Sequence, residues 1–137
     1  MIQKMSTLMT HEALAHMAIE ASSFAYAPYS NFPVGAALLC EDGSVYTGCN
    51  IENAAFGAGL CAERVALGKA VSEGKRKFQV LAVASQGESY CMPCGICRQM
   101  FWEFSPDLLV LCTKGDGTFI MYSLKDLLPH AFGDYRS

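Results

Sequence analysis

No stretch of this chain comes near the roughly 18 consecutive apolar residues that would cross a bilayer as a helix, so a membrane role is not expected. The first ten residues hold a single lysine and no continuous apolar block with a cleavage site, which argues against a secretory signal. Positive charge is scarce as well: ten Lys and Arg stand against thirteen Asp and Glu, a formal net charge of −3. That balance argues against nucleic acid as the main partner. The one basic run, Lys75-Arg76-Lys77, follows an expected helix end, where it complements the helix dipole rather than a phosphate. Repeats, linkers and low-complexity tracts are missing too, and 137 residues suffice for a single domain, 1–137, with a sizeable core.

Cysteine is abundant instead. Seven is a high count and an odd one; in a secreted domain it would suggest disulfides and a spare thiol. Without a signal segment, metal binding in a reducing, cytoplasmic setting is the better reading.

The periodicity of the chain predicts its elements in order. Leu14, Met17, Ala18 and Ala21 recur at helical spacing after Thr10, with His11, Glu12, His16 and Glu20 on the solvated side. Val34 to Leu39 and Val45 to Gly48 flank an Asp-Gly turn and read as a β-hairpin ending at Asn50-Ile51-Glu52-Asn53. A helix follows from Cys61 to Val71 with a glycine cap near Gly74, then an almost wholly apolar strand from Phe78 to Ala84. The second cysteine cluster opens a helix to about Phe104, stopped by Ser105-Pro106. Leu108 to Cys112 and Thr118 to Tyr122 form a strand pair, and Ser123 with Asp126 resembles a capping box for a short last helix ended by Pro129. This order predicts an α/β fold with a central sheet layered by helices.

Pro93-Cys94-Gly95-Ile96-Cys97-Arg98-Gln99 places two sulfurs three residues apart at a helix start, and Cys61-Ala62-Glu63 offers a third sulfur beside a carboxylate. Three thiolates leave a tetrahedral zinc one open position. Helix N-termini favour the ionised sulfur, and the excess negative charge of three thiolates calls for a cation nearby; Arg64 and Arg98 are placed to offset it. Glu63 can take a proton from water and hand it to a ring nitrogen, serving as acid and base in turn. Spacing alone leaves a rival near even: Cys61, Cys91, Cys94 and Cys97 as a closed structural four-sulfur site. A redox dithiol at Cys94 and Cys97 would give Cys61 and Glu63 no role.

Cys61-Ala62-Glu63-Arg64 and Pro93-Cys94-Gly95-Ile96-Cys97-Arg98-Gln99 resemble the signature of the cytidine deaminases. So do Tyr26-Ala27-Pro28-Tyr29-Ser30, Val34-Gly35-Ala36-Ala37-Leu38 and Asn50-Ile51-Glu52-Asn53-Ala54, in family order from about Tyr26 to Phe132. The resemblance implies a three-layer α-β-α sandwich around a mixed five-stranded sheet, in the small homotetrameric class whose pockets neighbouring subunits complete. It implies one Zn²⁺ per chain on Cys61, Cys94 and Cys97, Glu63 as the proton shuttle and Arg64 as partner of the sulfurs. Asn50 and Glu52 would bond the ribose hydroxyls, the Ala62 N–H would meet the pyrimidine carbonyl, and Phe32 would pack on the base. Phe56, where the family often has tyrosine, and Phe132, like the aromatic that completes a neighbour's pocket, are equally readable as packing residues. Cys91 replaces no ligand of the pattern. The activity implied is hydrolytic deamination of cytidine and deoxycytidine in pyrimidine salvage. The rivals are a deaminase of another aminopyrimidine nucleoside, such as the blasticidin-S type, and a non-catalytic zinc-stabilised domain. A polynucleotide editor would need a basic groove with stacking aromatics.

Overall fold

The computed structural model describes residues 9–133. Residues 1–8, which carry most of the secretory-signal reading, and residues 134–137 lie outside the described part. Helix α1 (His11–Ser22) starts where Thr10 accepts a hydrogen bond from the Ala13 N–H, and it buries Leu14, Ala15, Ala18 and Ala21. The hairpin is β1 (Val34–Cys40) and β2 (Val45–Cys49), turning at Gly43 with φ of 93°. Helix α2 (Ala62–Ser72) ends in a Schellman motif: the Gly74 N–H donates to Val71 O and the Lys75 N–H to Ala70 O, both at 3.0 Å. Arg76 adds a bond to the Val71 carbonyl at 2.9 Å, so one member of the basic run caps a helix end.

Strand β3 (Phe78–Ser85), helix α3 (Gly95–Phe104), β4 (Leu109–Thr113), β5 (Phe119–Ser123) and the short α4 (Leu124–Leu127) complete the described chain. Ser123 Oγ accepts from the Asp126 N–H at 3.2 Å, one half of the expected capping box. The sheet is ordered β2-β1-β3-β4-β5, with the β3–β4 pair parallel and the other pairs antiparallel.

Strand alternation sorts the core into two layers. Ala37, Leu39, Val80, Ala82, Ala84 and Leu111 face α1, while Ala36, Leu38, Leu81, Val83 and Val110 face α2, α3 and α4. Helices therefore cover both faces of a five-stranded mixed sheet, as expected. Since β2 and β3 both run antiparallel to β1, they run parallel to each other. Helices α2 and α3 leave these two strands on the same face, so their N-termini gather at one end of the sheet. Crevices outside the carboxyl ends of parallel strands are where α/β proteins bind ligands.

The layers touch closely at two glycines. A Cβ on Gly35 would stand 1.9 Å from Ala18 O of α1, and one on Gly48 would stand 2.5 Å from Ala62 O of α2. Gly68, exposed within α2, has nothing within 4 Å of that position. We expect Gly35→Ala to lower stability by about 2 kcal/mol or more through overpacking. Gly68→Ala should raise it by about 0.5–1 kcal/mol, because alanine loses less backbone entropy in a helix. Paired urea unfolding curves measure both, and a neutral Gly35→Ala would contradict the tight seating of α1.

Candidate metal centre and pocket

The carboxyl ends of β2 and β3 feed the two segments that carry the sulfurs. Cys61 is the N-cap of α2 and Cys94 the N-cap of α3, where its Sγ accepts from the Cys97 N–H at 3.5 Å. The sulfurs stand 3.5 Å apart for Cys61 and Cys94 and 3.2 Å apart for Cys94 and Cys97, and all three lie within 4.8 Å of one another. A tetrahedral ion with Zn–S bonds of about 2.3 Å would hold its thiolates about 3.8 Å apart, so these residues fit one zinc ion. Among the described residues no further donor joins this group, and Cys91 is outside it.

The thiols already share charge unequally. Cys61 is drawn well below the ordinary thiol range, first by a hydrogen bond from Cys97 and then, against the cost of burial, by Cys94 and Arg64. Cys97 is pushed up by donating to Cys61 and by its own burial. Arg64 lies beside this cluster with Nη2 bonded to Gly59 O at 3.2 Å. Desolvation pulls its pKa down, but the Cys61 thiolate, followed by Cys97 and Cys94, outweighs that and raises it. Its Nε is buried and has no hydrogen-bond partner.

Arg98 does not share that task, contrary to its expected role. Its Nε donates to Pro93 O at 2.8 Å and an Nη to Leu127 O at 2.7 Å. It braces the loop entering α3 against the end of α4. The sequence has no signal for this, because the acceptors are backbone carbonyls.

Glu63, in the first turn of α2, is 3% exposed. Burial pushes its carboxyl up to about 7, helped by the Cys61 thiolate and opposed by bonds from the backbone and the Cys97 thiol. A divalent cation on the sulfurs would work against that rise. Glu63 lines a cavity of about 180 Å³ together with Phe32, Val34, Asn50, Cys61, Ala62, Cys91, Met92 and Cys94. Ala62 occupies the first helical position, where the backbone N–H has no acceptor within the helix.

A second, open cleft of about 460 Å³ adjoins the first at Asn50 and Cys61 and carries Tyr29, Ser30, Glu52 and Phe56 on its walls. Ile51 fixes this junction: it exchanges 2.9 Å bonds with Leu60 on one side, while its neighbours bond Tyr26 on the other. Asn50 and Glu52 are thereby delivered to the cleft, but they also build it. Asn50 Oδ1 accepts from the Val34 N–H at 2.9 Å and Nδ2 donates to Phe32 O at 3.0 Å. Glu52 accepts from the N–H groups of Tyr29 and Ser30 and from the Ser30 hydroxyl, whose bond in particular holds its carboxyl below the usual range. Phe132 lines neither cavity of its own chain and is 81% exposed.

Sequence reasoning missed Val34, Cys91 and Met92 as cavity residues. Cys91 carried a signal only as a rival ligand. It is 8% exposed in the α2–α3 core layer, and burial pushes its thiol up to about 12, so it behaves as a small apolar wall. Cys40 and Cys112 are core residues of the same kind, and none of the seven cysteines is in a disulfide. We expect Cys91→Ala to retain one zinc per chain after dialysis and Cys61→Ala to lose it, as measured by elemental analysis. Loss of zinc from Cys91→Ala would restore the four-sulfur reading.

Comparison with known proteins agrees with this geometry. The family model for the cytidine and deoxycytidylate deaminase zinc-binding region matches residues 8–113. A cytidine deaminase of Sporosarcina psychrophila is 51% identical over 109 residues, covering 79% of this chain and 80% of the relative. One from Halalkalibacterium halodurans is 46% identical over 125 residues, covering 90% and 95%. The crystal structure of cytidine deaminase from Burkholderia pseudomallei superposes with a TM-score of 0.86 at 48% identity, covering 90% of this chain and all of that one. With two helix N-termini presenting three sulfurs, a buried glutamate and an adjoining cavity, this chain belongs to the zinc-dependent cytidine and deoxycytidylate deaminase family.

Proposed function

We propose that the protein hydrolyses cytidine and 2′-deoxycytidine to uridine and 2′-deoxyuridine with release of ammonia, a reaction of pyrimidine salvage. The observation that carries this reading is a buried glutamate, Glu63, lining a cavity of about 180 Å³ beside the three-cysteine cluster, with an open cleft adjoining at Asn50 and Cys61. A closed structural metal site has no use for such a carboxyl. When bound by Cys61, Cys94 and Cys97, zinc supplies a Lewis acid that brings the pKa of water toward neutrality.

The chain's own groups would do the rest. Phe32 and the apolar wall of Val34 and Cys91 would hold the pyrimidine ring and keep bulk water from it. The Ala62 N–H would meet the ring carbonyl, orienting C4 toward the sulfurs and N3 toward Glu63. Water adds its oxygen to C4; Glu63 accepts a proton from that water and delivers it to N3. The C4–N bond then breaks, a proton passes through Glu63 to the departing amine, and a C4 carbonyl remains. Asn50 and Glu52 would receive the ribose, an amide and a carboxylate offering it both donor and acceptors. Arg64 would balance the charge of the three thiolates.

The reading extends to assembly as a homotetramer in which Phe56, on the wall of its own chain's cleft, is covered by a neighbour and Phe132 completes a neighbouring pocket. Their exposures of 89% and 81%, with Phe24 at 80%, support it, because a lone domain gains nothing from three bare phenyl rings. The chain would act as one domain in the cytoplasm; its thiol ligand set needs reducing conditions. Among the described residues no helix is long and apolar enough to cross a membrane.

Ammonia release from cytidine by the zinc-loaded protein tests the proposal. Glu63→Gln should lower turnover about 10²–10⁴-fold, the usual weight of a general acid–base, while zinc content stays at one per chain. Activity on another aminopyrimidine nucleoside alone would move the assignment to a different substrate. No turnover with zinc retained in the parent would leave a structural site. Sedimentation at working concentration should give four chains per particle.

A further inference from the structure

We infer that Gln99 is a positioning residue for the aromatic ring that one copy of the chain offers to its neighbour's pocket. This rests on the reading of Phe132 as a residue serving a second copy. The Gln99 side chain and the Phe132 backbone form a closed pair of hydrogen bonds: Nε2 donates to Phe132 O at 2.9 Å, and the Phe132 N–H donates to Oε1 at 3.3 Å. A two-point pair of this kind fixes the direction of the main chain as well as its distance.

The segment it holds has little else to define it. Helix α4 ends at Leu127, and the chain then passes through left-handed backbone at His130 (φ 58°) and Gly133 (φ 88°), on both sides of Phe132. A non-glycine residue in that region is disfavoured and needs outside contacts to keep it there. Arg98 grips the start of the segment through Leu127 O, Ala131 is buried, and Gln99 grips Phe132 itself. Both grips come from consecutive residues directly after Cys97. The ring of Phe132 is nonetheless left 81% exposed. Clamping the backbone while presenting the ring is the reverse of core packing, and it serves a surface outside the chain. The helix that would hold the metal in one copy thus aims the aromatic wall of the next copy's pocket.

The test compares cytidine kinetics for the parent, Gln99→Met, Gln99→Glu, Phe132→Ala and the Gln99→Met/Phe132→Ala double variant, with zinc content and sedimentation recorded for each. Gln99→Met, which keeps the length but neither bond, should raise KM about tenfold with kcat within about twofold. Phe132→Ala should raise KM at least as much, and the double variant no further than Phe132→Ala. In Gln99→Glu the ionised carboxylate cannot donate to Phe132 O, so KM relative to the parent should rise. Mixing Gln99→Met chains with inactive Glu63→Gln chains, which carry a correctly held Phe132, should recover the lower KM in part.

If Phe132→Ala raises KM while both Gln99 variants match the parent, this inference fails and the reading of Phe132 stands. If Phe132→Ala matches the parent, that reading fails and the inference with it. Full additivity in the double variant would assign Gln99 a task apart from Phe132 and overturn the inference. If Gln99→Met does not fold, Gln99→Ala takes its place, judged by the same KM rise and the same lack of additivity with Phe132→Ala.

Discussion

Two helices begin within a few ångströms of each other, and each begins with a cysteine. Everything else at this site follows from that meeting of helix N-termini. Unpaired N–H groups and positive dipole ends suit negatively charged ligands, and Cys61, Cys94 and Cys97 stand there. Three thiolates together repel, so the arrangement needs a divalent cation at its centre and a counter-charge at its edge, where Arg64 stands. The same helix start that presents Cys61 carries Glu63 in its first turn, with its side chain buried. A carboxyl buried there at this level of desolvation is costly in a purely structural site, which is why its presence weighs so much in the functional reading.

The surrounding pocket is made by side chains with two duties. In the proposed reaction Asn50 and Glu52 would receive a sugar, yet both are bonded to the loop from Tyr29 to Val34. These duties are compatible: each group has more hydrogen-bonding sites than the loop uses. The loop bonds preorganise the two side chains, so that a nucleoside would meet groups already oriented. The outer wall is the opposite case. Phe56 and Phe132 stand in solvent, and among the described residues nothing covers the open cleft from outside.

Much of the architecture was legible because local chemistry and tertiary structure agree. Thr10 caps the first helix, the Asp-Gly turn closes the hairpin, Gly74 ends α2, and strand alternation between Ala36 and Leu39 sorts residues to two faces. The cysteine clusters were legible as ligands because i and i+3 spacing at a helix start puts sulfurs together by local geometry alone. Arg98 misled for the same reason: adjacency to Cys97 in sequence suggested a shared task, but the next residue along a helix points about 100° away. Its guanidinium reaches carbonyls that no residue type advertises.

By itself, then, the sequence determined the elements, the alternation of faces and the chemistry of each candidate group, since these depend on neighbours a few residues apart. Whether Cys91 joined the sulfurs was undecidable at that level, because its spacing to Cys94 suits a ligand as well as a core residue. Only the sheet order decided it: seating α2 and α3 side by side brings Cys61 to Cys94 and Cys97 and turns Cys91 into the core layer. The pairing of Gln99 with Phe132, 33 residues on, belongs to the same class. Contacts between distant segments depend on how layers pack, and no local pattern encodes that.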